Sequence, residues 1–257
     1  MPSQNVAAWL GSLAERYGVL AVAGGDGTVS TVAAAAVESG RTLGVIPAGT
    51  LNHFARDTGI PTDVENAVAV LGSRHTAAVD IGAANDRLFL NNASIGAYPR
   101  MVLERTRARD RGWPRPIASA KAIASTWIEL RNTTFQIRVD EQQMVRRSPL
   151  VVIGNGEYEV DGLRVGARRT VSNSALSLYV APRSSRLDAL ALPFRVLLGR
   201  LKQDPDFEIL RASSIVVDVG RTVTIALDGE VTTLQSPVHF SVKPRALKVL
   251  VPPPKEG

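Results

Sequence analysis

The sequence predicts two regions of different fold class: an α/β domain with an open parallel sheet at residues 1–79, and a mostly antiparallel β-sandwich at residues 80–251. Three observations support this prediction. Short apolar runs alternate with helical periodicity in the first eighty residues, strand-like segments dominate after Val79, and 45% of the 257 residues are hydrophobic. This composition is typical of a globular chain with a sizeable core. A Pro-rich polar tail follows at residues 252–257.

The α/β domain is predicted from a strand–loop–helix pattern that repeats along the chain. The amphipathic period of the first helix and the continuous apolar runs of the strands are the signals. Gly40 is expected to end the second helix, because glycine readily adopts the backbone conformation of a helix terminus. The predicted helices are Val6–Tyr17, Val29–Ser39 and Asp63–Leu71, and the predicted strands are Val19–Ala23 and Thr42–Ile46.

The second region is predicted as a sandwich because many short β-type segments follow one another with turn residues between them. The predicted strands are Arg87–Leu90, Thr134–Val139, Leu150–Ile153, Ala175–Val180, Ile215–Val219, Val223–Leu227, Val238–Val242 and Leu247–Val251. Two helices, Ser119–Arg131 and Leu187–Lys202, are predicted to interrupt them.

Composition excludes several kinds of site. The chain has no cysteine, which excludes disulfides, thiol catalysis and zinc–thiolate sites. Its formal net charge of +6 favours an anionic partner: nucleic acid, an acidic membrane or a phosphorylated small molecule. No stretch approaches the ~20 apolar residues of a membrane span, and residues 1–17 lack the pattern of a signal peptide. We expect a cytoplasmic protein, with contact at the inner membrane face left open.

The strongest local motif is Gly24-Gly25-Asp26-Gly27-Thr28, between an apolar strand and a helix. Three glycines allow a ligand to approach the backbone closely, and the amides that begin the helix suit a phosphate group. Asp26 adds a carboxylate, whose charge a metal or basic partner must offset. The alternative is a tight strand–helix turn without a ligand. The motif is neither a Walker A loop nor a dinucleotide-binding fingerprint, because no lysine follows and the spacing differs.

A second loop, Pro47–Arg56, follows the next strand. In an open parallel sheet both loops lie at the carboxyl ends of their strands, where ligands bind. Thr50 and Asn52 offer neutral hydrogen-bonding groups and Arg56 a fixed positive charge. The alternative is a helix N-terminus that Thr50 caps, which is compatible with ligand binding.

A third motif, Asp228-Gly229-Glu230, follows a predicted strand. Its two carboxylates could coordinate Mg²⁺ or accept a proton. By itself, however, Asp-Gly is above all the signature of a β-hairpin turn. The motif alone therefore leaves a structural turn and a catalytic site open.

Taken together, these motifs resemble the diacylglycerol kinase catalytic family, which includes sphingosine kinases and bacterial lipid kinases. Val79-Asp80-Ile81-Gly82, Phe89-Leu90-Asn91-Asn92 with Ser94 and Gly96, and Gly154-Asn155 also fit the pattern, so the resemblance covers nearly the whole chain. It implies a nucleotide-binding α/β domain, ATP and Mg²⁺ as cofactors, and diacylglycerol or a related lipid as acceptor. Carried over by position, the residues that would hold ATP are Gly24, Gly25, Asp26, Gly27, Thr28, Thr50 and Asn52. Glu230 would be the general base, with Asp228 beside it and Asp26 as a further catalytic carboxylate.

Three departures from the family pattern accompany this resemblance. Full-length relatives begin with a strand and an Asn-Pro phosphate loop upstream of the helix at Val6, so we expect an N-terminally truncated chain. His53 stands where relatives commonly have aspartate. Ser172-Asn173-Ser174 occupies the place of an Asp-Asp-Gly segment that holds a structural Mg²⁺ in bacterial relatives, so no residue is assigned to that metal.

A basic run surrounds Trp113, formed by Arg105, Arg107, Arg109, Arg111 and Arg115. It suits an anionic lipid surface or, equally, a solvated interdomain linker. Two rival functions stay open: a kinase of a soluble substrate, similar to NAD kinases, and a truncated, non-catalytic module that binds lipid or nucleotide. No nucleic-acid partner is predicted. The oligomeric state, a homodimer included, is left open.

Overall fold

Two β-sheets organise the chain in the computed structural model, which describes residues 3–128, 132–156, 174–181 and 208–253. The helices are α1 (Ser3–Arg16), α2 (Asp26–Ser39), α3 (His53–Asp57), α4 (Val64–Gly72), α5 (Ala97–Asp110) and α6 (Arg115–Ile128). The strands are β1 (Val19–Gly24), β2 (Thr42–Pro47), β3 (Thr76–Ala84), β4 (Arg87–Phe89), β5 (Asn92–Gly96), β6 (Thr133–Val139), β7 (Gln142–Ser148), β8 (Leu150–Asn155), β9 (Leu176–Val180), β10 (Glu208–Ala212), β11 (Ser214–Asp218), β12 (Val223–Leu227), β13 (Glu230–Leu234) and β14 (Val238–Leu250).

The α/β layer follows the predicted order closely. β1 and β2 pair in parallel, and a core that includes Leu10, Val29 and Leu43 joins the helices to the sheet. α2 ends where predicted: Gly40 has a φ of 67°, and its amide donates to the carbonyl of Val37. α2 begins three residues earlier than predicted, because the small, polar residues of its first turn carry no apolar period.

The C-terminal strand changes the predicted topology of this layer. The two strands predicted at residues 238–242 and 247–251 form one 13-residue strand, β14. β14 pairs in parallel with β2 and antiparallel with β3 and β11. The α/β-plus-sandwich fold is therefore confirmed, but its N-terminal sheet is mixed and not purely parallel as predicted. The reason is a long-range pairing that no local pattern encodes.

The predicted boundary at residues 79–80 lies inside β3, which runs from Thr76 to Ala84. β14 also pairs with strands on both sides of that boundary. The sheet that begins with β1 therefore continues through β14 and β11 into β6 and β7. The division of the chain at residue 79 stays a prediction.

The second sheet has the order β10-β9-β8-β5-β12-β13, and each neighbouring pair is antiparallel. Its inner face packs against β6, β11 and β14 of the first sheet around a shared core that includes Phe135, Ile153 and Phe240. β6 shows the expected alternation, with Phe135, Ile137 and Val139 buried. This arrangement confirms the predicted sandwich.

The sequence predictions missed several elements. β7 is an edge strand of mainly polar residues, and α5 carries four arginines and a proline without an apolar period. The basic run around Trp113 is largely helical, because Arg105, Arg107 and Arg109 lie in α5 and Arg115 begins α6. The predicted helix Leu187–Lys202 lies outside the described residues. Among the helices that are described, none is long and apolar enough to cross a membrane.

Candidate active site

The two glycine-containing turns that follow β1 and β2 lie against each other. The amide of Ala48 donates to the carbonyl of Gly24 at 2.9 Å. A Cβ atom on Gly49 would lie 2.5 Å from the Cα of Gly25, and one on Gly25 would lie 3.2 Å from the Cα of Gly49. Since both contacts involve backbone, Gly49 has no room for a side chain, and a side chain at Gly25 would require the neighbouring turn to shift by a few tenths of an ångström. The sequence pattern therefore reflects a close backbone approach.

The start of α2 presents open amide groups beside these turns. Gly25 is the N-cap and supplies no side-chain cap, and Val29 donates to the carbonyl of Gly25 at 3.0 Å. The amides of Asp26, Gly27 and Thr28 therefore precede the first intrahelical bond. Open amides at the positive end of a helix dipole attract phosphate.

Asp26 connects the two turns, whereas Asn52 shapes the second one. Asp26 Oδ1 accepts a hydrogen bond from the amide of Phe54 at 3.3 Å, at the start of α3. The side chain of Asn52 is used within its own turn: Oδ1 accepts from the amide of Gly49 at 2.9 Å, and Nδ2 donates to its carbonyl at 3.0 Å. Asn52, with a φ of 51°, is the N-cap of α3. The expectation that Thr50 caps this helix is wrong, and Thr50 is exposed in the turn.

The Asp228–Glu230 motif is a two-residue hairpin turn between β12 and β13. Leu227 pairs with Glu230, while Asp228 and Gly229 have φ values of 48° and 85°. Positive φ at both central residues is the geometry of a type I′ hairpin turn, in which Asp-Gly is a preferred sequence. The hairpin alternative is therefore confirmed. It leaves a catalytic role open, since the turn also orients both carboxylates.

Asp228 is the most highly bonded carboxylate of this region. Its Oδ2 accepts from Ser30 Oγ and from the amide of Leu90, both at 2.7 Å. Its Oδ1 accepts from the amides of Asn91 and Asn92, at 2.7 and 3.1 Å. Burial raises the pKa of Asp228, although these four hydrogen bonds act in the opposite direction. Asp228 thus ties the hairpin to α2 and to the connection between β4 and β5.

Glu230 lies at the open end of α2, with only part of its side chain exposed to solvent. Its Oε1 would be 3.0 Å from a Cβ atom on Gly27, so the carboxylate contacts the first turn of that helix. Partial burial, and secondly the negative charge of Asp228, raise the pKa of Glu230. A carboxylate with a raised pKa is a better proton acceptor near neutral pH.

A second buried network fixes the strands behind the site. Asp80, 4% exposed, accepts from the amide of Arg245 through Oδ1 and from the amide of Ser174 through Oδ2, both at 2.8 Å. Arg245 lies in the irregular part of β14 between Lys243 and Leu247. Asn155 Nδ2 donates to the carbonyl oxygen of Asp80 at 2.8 Å. Two of the residues that carry the family resemblance, Asp80 and Asn155, thus hold the strands together.

The structure brings together the predicted glycine turn, Asp26, Asn52, Asp228 and Glu230. It adds Ser30 and the backbone amides of residues 90–92, which the motif analysis did not single out as site groups. Asn91-Asn92 belonged to the quoted pattern, but Ser30 lies inside a helix and carries no local signal. Among the described residues, no group of three or more His, Asp or Glu side chains forms a metal cluster.

Comparison with known proteins identifies the family to which these two parts of the chain correspond. Residues 3–84 match the family model of the diacylglycerol kinase catalytic domain, and residues 103–251 match that of the YegS C-terminal NAD kinase beta sandwich-like domain. A putative diacylglycerol kinase from Bacillus anthracis has a similar structure, with a TM-score of 0.75 and 22% identity; the match covers 98% of this chain and 84% of that one.

Curated relatives match most of this chain, and the chain spans varying shares of their length. The chain is 25% identical over 221 residues to the diacylglycerol kinase of Staphylococcus saprophyticus, covering 85% of this chain and 72% of that protein. It is 26% identical over 256 residues to the lipid kinase YegS of Escherichia coli, covering 93% and 81%. An uncharacterized Synechocystis protein is 29% identical, and the chain spans 54% of its length. The solved structure shows the same fold, and the two family models together show that the chain belongs to the diacylglycerol kinase catalytic-domain family, with a YegS-type β-sandwich as its C-terminal part.

Proposed function

We propose that this protein is an ATP-dependent lipid kinase that phosphorylates a hydroxyl group of diacylglycerol or a related lipid. One observation carries the proposal: the carboxylate of Glu230 contacts the open N-terminus of α2 beside two glycine turns. A phosphate-binding helix end and a proton acceptor then face the same space. Family membership supports a phosphotransferase, and the names of the relatives support a lipid acceptor.

The two glycine turns and the open end of α2 form a concave site, here called the cradle, that fits the phosphates of ATP. Gly49 has no room for a side chain because the two turns approach each other closely there, and the amides of residues 26–28 point out of the helix end. Thr28 and Thr50 are exposed hydroxyl groups at the rim of the cradle. Asn52 shapes the cradle through its two hydrogen bonds to Gly49.

The carboxylate of Asp26 also fits Mg²⁺, which prefers oxygen ligands and binds together with substrate phosphates. Such an ion would neutralise negative charge on the transferred group. Asp26 is the residue we propose to hold it, because this carboxylate lies between the two glycine turns.

Glu230 is the proposed general base. The lipid hydroxyl oxygen forms a bond to the γ-phosphorus while the bond from that phosphorus to the bridging oxygen of ADP breaks. Glu230 accepts the hydroxyl proton, so that the products are the lipid phosphate and ADP. Asp228 has both oxygens engaged in four hydrogen bonds, so we propose that it positions the hairpin that presents Glu230.

A panel of acceptors tests the proposal. The protein is incubated with radiolabelled ATP and with dispersed diacylglycerol, sphingosine or soluble NAD, and ATP binding is measured separately by calorimetry. We expect phosphorylated diacylglycerol, or a related phospholipid product, and no labelled NAD. Labelling of NAD alone would favour the soluble-substrate kinase. ATP binding without any labelled acceptor would favour a non-catalytic module.

A matched pair of variants tests the role of Thr50 in ATP binding. Thr50→Val should weaken ATP binding by about 1 kcal/mol, the typical value for one lost hydrogen bond. Thr62→Val removes a hydroxyl group from an exposed position ahead of α4 and should leave ATP affinity unchanged. Equal ATP affinities for the two variants would contradict the proposed role of Thr50.

A further inference from the structure

Helix α6 has its small and large apolar residues reversed with respect to an ordinary surface helix. Ala118 and Ala122 are buried, whereas Ile117 is 51% exposed and Ile123 is 44% exposed. A surface helix normally turns its large apolar side chains toward the core. α6 therefore presents a water-facing apolar stripe that nothing in the fold of the described residues requires.

This stripe is continuous along the helix. Its exposed members recur at intervals of three and four residues, which places them on one side of the helix. They are Pro116, Ile117, Ala120, Ile123 and Ala124. A contiguous apolar surface of this kind marks an interaction site more often than scattered exposed residues do.

The hairpin formed by α5 and α6, residues 97–128, also concentrates the positive charge of the chain. Its sequence contains seven basic and two acidic side chains, which gives a net charge of 7 − 2 = +5. The whole chain has a formal net charge of +6, so this hairpin carries most of the excess. One of the two acids, Glu104, is already paired with Arg107 at 2.6 Å. Arg109, Arg111 and Lys121 are exposed beside the stripe. This excess of basic side chains favours a negatively charged partner.

Trp113 stands at the tip of the hairpin. It is 42% exposed, and Lys121 Nζ lies 4.6 Å from the centroid of its ring. Gly112, with a φ of 82°, allows the chain to turn at this point. An exposed tryptophan next to basic side chains is the combination that proteins place at the boundary between water and lipid.

The base of the hairpin adjoins the candidate active site. α5 packs against β5, β12 and β13, the strands that flank the Asp228–Glu230 turn. The hydroxyl of Tyr98, in the first turn of α5, would lie 3.8 Å from a Cβ atom on Gly229. The hairpin is therefore anchored beside the Asp228–Glu230 turn at its base, and its tip lies about 20 Å further along α5.

We propose that the α5–α6 hairpin docks the protein on an anionic lipid surface. The apolar stripe of α6 and Trp113 enter the headgroup region, and Arg109, Arg111 and Lys121 bind lipid phosphates. This inference rests on the proposed function in one respect: it names the surface through which the enzyme reaches its lipid acceptor. Apolar burial combined with basic charge fits a membrane interface, where both attractions act at once.

Vesicle co-sedimentation without ATP tests the docking independently of catalysis. The probes are vesicles of phosphatidylcholine alone and vesicles that also contain phosphatidylglycerol. We expect binding only to the anionic vesicles, and weaker binding at high salt. Arg109→Gln with Arg111→Gln should lower the partition coefficient by roughly 10- to 30-fold. Ile117→Ser with Ile123→Ser should lower it by about tenfold or more.

Two matched controls lie on the sandwich, away from the hairpin. Val145→Ser removes an apolar side chain that is 63% exposed on β7, and Arg138→Gln removes an exposed charge on β6. Both should bind anionic vesicles as the unaltered protein does. Equal binding of hairpin and control variants, or equal binding to neutral vesicles, would overturn the proposal.

Gel filtration tests whether a second copy of the chain, instead of a membrane, binds the apolar stripe. A dimer that Ile117→Ser with Ile123→Ser converts to a monomer would show that self-association covers the stripe, and would overturn membrane docking. A protein that binds vesicles through the hairpin but phosphorylates no acceptor would leave docking intact and refute the kinase. The two proposals therefore fail separately.

Discussion

The two turns that meet at the candidate site are built on opposite principles. The turn after β1 is made almost entirely of backbone: Gly25 and Gly49 touch through their main chains, and the helix end beyond has no side-chain cap. The turn after β12 acts through side chains, with Asp228 holding four hydrogen bonds and Glu230 contacting Gly27. A substitution should therefore damage the first turn through steric overlap and the second through lost charge or lost acceptors.

Glu230→Gln should have the largest effect, since it breaks the side-chain turn without disturbing the backbone turn. Glutamine keeps the size of glutamate but cannot accept the proton, so we expect kcat to fall about 10²- to 10⁴-fold. ATP affinity should change little. Initial rates and calorimetric titration measure the two quantities, with Glu65→Gln on α4 as the control. Full activity of Glu230→Gln would transfer the proposed base role to another carboxylate.

Gly49→Ala tests the backbone turn. The added methyl group would lie 2.5 Å from Gly25 Cα and 2.8 Å from Asn52 Oδ1, so the two turns must separate. We expect a loss of about 1–3 kcal/mol in unfolding free energy, together with weaker ATP binding. Gly11→Ala, in α1 with nothing within 4 Å of its added methyl, should instead stabilise by about 0.5–1 kcal/mol. Urea denaturation measures both; equal stabilities would mean that the turns tolerate separation.

Asp228→Asn tests whether the charge of Asp228 affects the pKa of Glu230 within the side-chain turn. The negative charge of Asp228 contributes to the raised pKa of Glu230, so its removal should lower that pKa. Because Glu230 must be ionised to accept a proton, the acid limb of the kcat–pH profile should move to lower pH. The amide also offers a donor where four donors converge, which should cost about 1–3 kcal/mol of stability.

Asp86→Asn provides the matched control for this pH experiment. Asp86 is exposed in the turn between β3 and β4, so its replacement removes the same formal charge at the surface. Its pH profile should coincide with that of the unaltered protein. A shift of the acid limb in both variants would indicate a general charge effect and not a contact between Asp228 and Glu230.

Ser30→Ala should have the smallest effect, because it removes one of the four donors to Asp228. The expected loss is about 1 kcal/mol of unfolding free energy. In an Asp228→Asn background the same substitution should cost less, since the charged acceptor is already gone. A double-mutant cycle measures the difference, and strictly additive effects would argue against coupling between α2 and the hairpin.

The motifs at the site could be predicted, but their division of labour could not. The Gly24–Thr28 turn stood out because glycines between a strand and a helix are a local pattern. Asp228 and Glu230 were both candidates for a proton acceptor, since two carboxylates separated by one glycine look alike in a sequence. Their difference arises from contacts with Ser30 and the amides of residues 90–92, more than a hundred residues away in the chain.

The sequence by itself determined the features that depend on neighbouring residues: the parallel pair β1 and β2, the end of α2 at Gly40, and the Asp-Gly hairpin turn. Periodicity and turn chemistry act within a few residues, so they can be recognised without the fold. Only the tertiary structure decided that β14 joins both parts of the first sheet, that Asp80 and Asp228 serve as hydrogen-bond acceptors within the fold, and that α6 exposes its isoleucines. These features depend on the burial and pairing of distant segments, which become defined only when the chain packs.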